Sequence, residues 1–292
     1  MMAIGVRARI NGAGLESEQV RKRHILACAA RLPSPPDVVM ALIGAMDDDE
    51  KGADQVAGLV ARDQGLTARV LKISNSSFYG LSGQIGTVNE AVVILGFSNV
   101  SNLVIATEIA NRYPTSPATR DALAGFWPHA MLTAFCASAL ANRCGAETGF
   151  AFTGGLLHDI GKLVLASAYP DDFSQFWATA PGAEDVLALE SERFGMDHAV
   201  LGGWITEQWC FPAAISVALR AHHTAQSNDL LARVIRHADQ IAHALALPAE
   251  TQDALQTASD ALIGLGARDS APDLLAGIER HAGAASELFQ KG

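Results

Sequence analysis

Apolar residues recur every three or four positions along most of the chain, which is the spacing of residues that share one face of a helix. Val38, Val39, Leu42, Ile43 and Met46 follow one another in this way. A strand-like alternation of apolar and polar residues is not sustained anywhere in the sequence. The pattern therefore predicts an all-α protein.

Signals that start and stop helices accompany this periodicity. Thr87 and Glu90 have the spacing of a capping box at a helix start, and Gly96 suits the position just after that helix ends. Ser98 is predicted to cap the next helix, and Pro128 is predicted to kink or interrupt a long alanine-rich helix. Further helices are expected at residues 150–157, 162–168, 171–179, 183–194, 198–209, 212–223 and 228–246.

The chain divides into four stretches. Residues 1–23 have little periodicity and are predicted to be a flexible lead-in. Residues 24–115 form a helical amino-terminal part, residues 116–246 a helical bundle, and residues 247–292 a helical carboxy-terminal tail. The Pro-containing segment 114–117 is the clearest boundary between two of these stretches.

Composition narrows the classes of function. Of 292 residues, 49% are hydrophobic and 18% are charged, which is sufficient for a large buried core. The net charge of -10 argues against binding of nucleic acid through a basic surface. Four scattered cysteines without a C-x-x-C pair indicate core residues in a reducing cytoplasm. No apolar run is long enough for a membrane span, so a membrane is not expected as a partner. Because of the negative net charge, a nucleic acid is not expected as a partner either.

Candidate chemistry centres on His158 and Asp159, which stand side by side in an otherwise apolar run. Two adjacent polar side chains in such a run need partners, and imidazole nitrogen with carboxylate oxygen suits a divalent transition metal. Because neighbours on a helix diverge by about 100°, both can face one ion only from a turn or a helix end. The candidate partners lie far along the chain, at His129, His198, His222, His223 and Asp239.

The order His129, His158-Asp159, Asp239 resembles the H…HD…D pattern of the HD superfamily of metal-dependent phosphohydrolases. The resemblance implies that these four residues bind a metal ion. His198, His222 and His223 stand where the HD-GYP branch of that superfamily supplies ligands for a second metal. The implied cofactors are one or two divalent ions, such as iron or manganese.

A second resemblance involves the amino-terminal half. Residues 32–36, 63–80 and 85–96 are similar to the HDOD family, the HD-related output domain of bacterial signalling proteins, and the likeness extends over about 24–245. It implies an HD-like helical bundle at 116–246 with a helical amino-terminal subdomain, and a regulatory role without demonstrated hydrolase activity. The sequence departs from HD-GYP, because His222-His223 is followed by neither a glutamate nor a Gly-Tyr-Pro element.

Three functions remain open at this point. The favoured one is a regulatory output protein that contacts another signalling protein and lacks efficient catalysis. The first alternative is a metal-dependent phosphohydrolase acting on a nucleotide or cyclic dinucleotide, in which Lys162 would hold a phosphoryl oxygen. The second is a switch in which metal occupancy changes helix packing. In the alternative without a metal, the same polar groups would satisfy one another by hydrogen bonds.

Several histidines carry a plainer interpretation. His198 is expected to face a polar cleft beside a helix cap at Asp197, and His222-His223 resembles an exposed helix end. The remaining histidines have no motif context and are predicted to be ordinary surface or boundary residues: His24, His237, His243 and His281.

Overall fold

The computed structural model describes residues 18–45, 57–75 apart from 59 and 62, 85–112, 117–179, 186–246, and 251–278 apart from 268. Within these ranges the chain forms helices and turns, and no strand occurs among them. The predicted all-α class is confirmed. None of the helices in these ranges has both the length and the apolar character needed to cross a bilayer.

The amino-terminal helices are α1 (Glu18–Ala29), α2 (Asp37–Ala45), α3 (Gln64–Ser74), α4 (Val88–Leu95) and α5 (Phe97–Arg112). The helices that follow are α6 (Phe126–Cys144), α7 (Thr148–Leu157), α8 (Ile160–Ala168), α9 (Pro170–Ala178), α10 (Val186–Phe194), α11 (His198–Gln208), α12 (Ala213–Ala221), α13 (Leu230–Ala246) and α14 (Thr251–Leu265), and residues 271–278 are helical as well. Helix α1 begins at Glu18, inside the stretch predicted to be a flexible lead-in. Residues 1–17 lie outside the described ranges.

Helix α4 is capped at both ends, by Thr87 before its first residue and by Gly96 after its last. The Thr87 hydroxyl accepts from the Glu90 amide at 3.1 Å, and the Glu90 carboxylate accepts from the Thr87 amide at 3.1 Å, which confirms the capping box. Gly96 has a φ of 87° and donates to Val92 O, while its own carbonyl accepts from the Val100 amide. Helix α5 therefore starts directly after this glycine.

The predicted cap at Ser98 is wrong for that reason. Ser98 lies inside the first turn of α5, which begins at Phe97.

The predicted kink at Pro128 is also wrong. Helix α6 begins at Phe126, so Pro128 occupies the first turn, where an amide has no acceptor within the helix. The missing N–H of proline therefore costs no helical hydrogen bond there. The first such bond runs from the His129 amide to Gly125 O at 3.0 Å.

Helix α6 is the centre of the carboxy-terminal bundle. It is buried on most of its circumference and packs against α7 and α13. The contact with α7 is close, since a Cβ at Gly155 would lie 2.8 Å from the Cα of Ala134. Helix α11 packs on α8 and α12, and α12 packs on α13. The bundle thereby brings the ends of α7, α11 and α12 together beside α6 and α13.

The amino-terminal helices contact the bundle through α5 and α1. Helix α5 collects α2, α3 and α4 around it and packs on α7, the helix that ends immediately before His158. Helix α1 packs on α8 and α10. One continuous apolar core joins both parts of the molecule.

Candidate metal centre

All of the predicted ligands meet at one place in the bundle. His129 comes from α6 and Asp239 from α13, while the junction of α7 and α8 supplies His158 and Asp159. The start of α11 supplies His198. The residues directly after α12 complete the set with His222 and His223.

A break between two helices lets His158 and Asp159 face the same point. His158 directly follows α7, and Asp159 precedes α8 with φ -99° and ψ 7°, outside regular helix geometry. Gly161 then allows α8 to approach α11, because a Cβ there would lie 2.1 Å from the carbonyl oxygen of His198. This approach places His198 Nε2 3.2 Å from Asp159 Oδ1.

Two of the imidazoles are held in the same way. His158 Nδ1 donates to Gly155 O at 2.7 Å, and His222 Nδ1 donates to Leu219 O at 2.6 Å. Since a carbonyl can only accept, each ring carries a hydrogen on Nδ1. Both rings therefore direct Nε2 into the cluster, and both side chains are buried.

The outer group consists of His129, His158, Asp159 and Asp239. His129 Nε2 lies 2.9 Å from Asp239 Oδ1, and His158 Nε2 lies 3.4 Å from Asp159 Oδ2 and 3.5 Å from Asp239 Oδ1. Burial lowers the pKa of His158, but the two carboxylates outweigh it and raise the pKa to about 10. For His129, burial dominates and lowers the pKa.

The inner group consists of Asp159, His198, His222 and His223. His198 Nε2 lies 3.0 Å from His223 Nε2. Burial, reinforced by the neighbouring histidines, holds the pKa of His222 well below its usual range and lowers that of His223 to about 4. These two rings are therefore neutral near pH 7, the form in which imidazole binds a metal.

Asp159 belongs to both groups. Its Oδ1 faces His198 and its Oδ2 faces His158. Burial alone would raise its pKa, but His158 and Lys162 outweigh burial and hold the pKa well below the usual range. Lys162 Nζ lies 2.5 Å from Asp159 Oδ2 and 4.8 Å from the centre of the Trp177 ring, so an ammonium group borders the cluster.

The structure adds one histidine that sequence reasoning missed. His243 lies one helical turn after Asp239, and its Nδ1 is 2.9 Å from the Asp239 carbonyl and 3.0 Å from Asp239 Oδ1. Its ring centre lies 4.3 Å from that of His129. His243 is a surface residue as predicted, since its side chain is 66% exposed, but its contact with Asp239 places it at the edge of the centre.

His24 and His237, which stand outside any motif, lie away from the cluster and contact other residues. His24 lies 3.2 Å from Ala168 O, and His237 lies 3.2 Å from Gln240 Oε1. His281 lies outside the described residues.

Two sets of donors at the centre could each hold a metal ion. In the set Asp159, His198, His222 and His223, one ligand atom from each residue lies within 4.8 Å of the others, and the same holds for the set His129, His158 and Asp159. Mixed imidazole and carboxylate donors suit iron, manganese or zinc. Both sets include the carboxylate of Asp159, and their other donor atoms come from several helices.

An all-helical bundle that assembles this histidine and aspartate set is an HD-like fold. The profile of the HDOD domain matches residues 32–225, and the chain belongs to the HDOD family. Both the predicted family and the predicted HD-like architecture are thereby confirmed.

Solved structures extend the likeness over most of the chain. An HDOD domain protein of unknown function from Geobacter sulfurreducens is 23% identical, with a TM-score of 0.74 over 94% of this chain and 99% of that one. A protein from Shewanella amazonensis SB2B, provisionally named a phosphohydrolase, is 25% identical, with a TM-score of 0.72 over 91% of this chain and 98% of that one.

A curated relative is much longer than the matched region. An uncharacterised protein from Treponema pallidum is 26% identical over 197 residues, which are 66% of this chain. The match spans 37% of that protein's length.

Proposed function

We propose that the chain is a regulatory HDOD protein of bacterial signalling whose buried centre binds two divalent transition-metal ions, such as iron or manganese. Its output is a contact with another signalling protein, and metal occupancy sets the packing of the helices that meet at the centre.

The environment of His222 carries the metal-binding part of this proposal. Its Nδ1 is engaged with Leu219 O, its ring is neutral, and its Nε2 is buried without a hydrogen-bond partner among the described residues. Leaving such an acceptor unsatisfied costs about 1–3 kcal/mol. A cation shared with Asp159, His198 and His223 would supply the missing partner.

The residues divide the work of holding two ions. His129, His158 and Asp239 would bind one ion, His198, His222 and His223 the other, and Asp159 would offer one oxygen to each. Bound ions of this kind polarise phosphoryl oxygens and lower the pKa of a bound water molecule. The anchored rings of His158 and His222 need little reorganisation to present Nε2 to an ion.

A packing route supports the regulatory part of the proposal. Helix α7 ends at the His158-Asp159 junction and packs on α5, around which the amino-terminal helices gather. A change in the position of His158 on metal binding would therefore act directly on the contact between the two parts of the molecule. Since close-packed helices resist continuous deformation, such a contact suits a two-state change.

The second candidate is a metal-dependent phosphohydrolase acting on a nucleotide or cyclic dinucleotide. The specific observation in its favour is Lys162, whose ammonium group lies at the edge of the centre with its side chain 19% exposed. There it would hold a phosphoryl oxygen as a point charge. The provisional name of the similar Shewanella protein is consistent with this candidate. The missing Gly-Tyr-Pro element and the family membership favour regulation.

Metal content tests the proposed function. Purified protein is loaded with Mn²⁺, freed of excess metal by gel filtration and measured by mass spectrometry. We expect two ions per chain for the wild type, one for His222→Ala, and two for His24→Ala, a matched control at an exposed position. Wild-type protein without stoichiometric metal would contradict the proposal.

Turnover separates regulation from catalysis. Hydrolysis of phosphoesters and cyclic dinucleotides is compared between the Mn²⁺-loaded wild type, Asp159→Ala, and Asp171→Ala as an exposed control. We expect equal, negligible rates in all three. A wild-type rate that Asp159→Ala abolishes and Asp171→Ala retains would establish the phosphohydrolase instead.

A further inference from the structure

Glu190 is a charged residue on the apolar face of a helix. The buried residues of α10 are Val186, Glu190 and Phe194, four positions apart, and Glu190 is completely buried. An unpaired carboxylate in such a place is strongly disfavoured. The side chain must therefore be retained for what it contacts.

Its contacts are concentrated on one residue. Glu190 Oε2 accepts from the backbone N–H of His198 at 2.8 Å and from His198 Nδ1 at 2.7 Å. Glu190 Oε1 has no hydrogen-bond partner among the described residues. The other polar group at this helix start, Asp197, is occupied as the N-cap of α11, where it accepts from the Val200 amide at 2.8 Å.

This pairing determines which nitrogen of His198 faces the centre. A carboxylate oxygen in contact with Nδ1 requires a hydrogen on Nδ1. Nε2 is then the nitrogen that faces the centre, 3.2 Å from Asp159 Oδ1 and 3.0 Å from His223 Nε2. In the other tautomer, the Nδ1 lone pair would face the carboxylate directly.

We infer that Glu190 is the positioning residue of the inner group: it fixes the orientation and tautomer of His198 and increases its basicity toward the ion held with Asp159, His222 and His223. The inference deepens the proposed function and rests on it. Carboxylates that accept from a metal-binding histidine raise metal affinity by roughly 10–100-fold. No hydrogen bond or ion pair found in the described residues joins Glu190 to the outer group.

Co²⁺ binding to the full chain tests this role. Glu190→Gln keeps the size of the side chain and removes its charge, and Glu192→Gln makes the same change at an exposed position of the same helix. We expect wild type and Glu192→Gln to bind two ions. Glu190→Gln is expected to bind one ion as tightly as the wild type and the other about 10–100-fold more weakly.

Three other outcomes overturn the inference. Two ions bound by Glu190→Gln with unchanged affinity would remove any role for Glu190. Equal weakening of both ions would indicate a general effect on folding. Wild-type protein that binds no Co²⁺ would overturn the proposed function and this role together, a result that differs visibly from the other two.

A second measurement does not depend on the stability of the variant. In metal-free wild-type protein, long-range ¹⁵N–¹H correlations distinguish the two imidazole tautomers. We expect His198 to carry its hydrogen on Nδ1 at neutral pH. A hydrogen on Nε2 with a bare Nδ1 would overturn the inference.

Discussion

The two groups of the centre share Asp159 but differ in their surroundings. The outer group adds a second carboxylate, Asp239, and reaches the surface, with side-chain exposures of 19% for His129 and 14% for Asp239. The inner group adds three imidazoles, and His198 is fully buried. In the outer group carboxylates keep a proton on His158, whereas in the inner group burial keeps His222 neutral. In the proposed centre, an ion in the outer group would compete with the proton of His158, whereas an ion in the inner group would meet a neutral His222.

Removal of Asp159 is expected to have the largest effect, because it takes a ligand from both groups. Asp159→Ala should lower the affinity for both ions by more than ~100-fold. This exceeds the 10–100-fold loss that is typical when a residue that only supports a ligand is removed. Mn²⁺ titration measures the loss. Asp171→Ala should bind as the wild type does, and retention of either ion by Asp159→Ala would contradict the shared position of Asp159.

The pH dependence of binding should separate the two groups. Because the pKa of His158 is raised to about 10, an ion entering the outer group at pH 7 displaces a proton. Outer affinity should therefore rise by about tenfold for each pH unit from 7 toward 9. The pKa of His223 is lowered to about 4 and that of His222 lies well below its usual range, so neither ring should make inner affinity depend on pH between 7 and 9.

Calorimetry in buffers of different ionisation enthalpy counts these protons. The outer ion should release about one proton at pH 7, from His158, that His222 and His223 do not release to the inner ion. Equal proton release by both ions would contradict the difference in protonation between His158 and His222.

The contact between α8 and α11 should affect the inner group more than the outer one. In Gly161→Ala, the new Cβ would lie 2.1 Å from the His198 carbonyl oxygen, so α11 must move. We expect a loss of about 1–3 kcal/mol in the free energy of unfolding, and a lower affinity of the inner group for its ion. Denaturant unfolding and Co²⁺ titration measure both.

Gly44→Ala is the matched control. Gly44 is an exposed residue of α2, and a Cβ there would meet nothing within 4 Å. It should gain about 0.5–1 kcal/mol of stability and leave both ions unchanged. An inner ion that binds Gly161→Ala as tightly as the wild type would separate the helix contact from the centre.

His243 should have the smallest effect. His243→Ala removes a donor to Asp239 but leaves the ligands in place, and the ring is largely exposed. Because exposed polar contacts contribute about 1 kcal/mol or less, the outer ion should weaken by less than about tenfold. Metal titration against His237→Ala, on the same helix, measures this. Weakening of the inner ion would contradict the assignment of His243 to the outer side.

The cluster could be assembled from the sequence because its members stand in distinctive local contexts. His158-Asp159 interrupts an apolar run, and His222-His223 forms a pair at a helix end. Resemblance to HD proteins then grouped His129 and Asp239 with His158-Asp159. Which oxygen or nitrogen faces which neighbour could not be predicted, because it depends on helix contacts such as the one at Gly161.

Glu190 and His243 were missed although each left a signal. Glu190 falls on the stripe of Val186 and Phe194, where an apolar residue is expected, and His243 follows Asp239 by four positions on one helix. A charge on an apolar stripe indicates a buried partner, but the partner's identity depends on the tertiary structure. Spacing alone does not separate His243 from His237, which lies on the same helix and contacts Gln240.

Anomalous diffraction from crystals of the Mn²⁺-loaded protein tests the two-group centre most directly. We predict two peaks, one among His129, His158 and Asp239 and one among His198, His222 and His223, with Asp159 between them. Crystals grown at saturating Mn²⁺ that give no peak within this cluster would contradict the account.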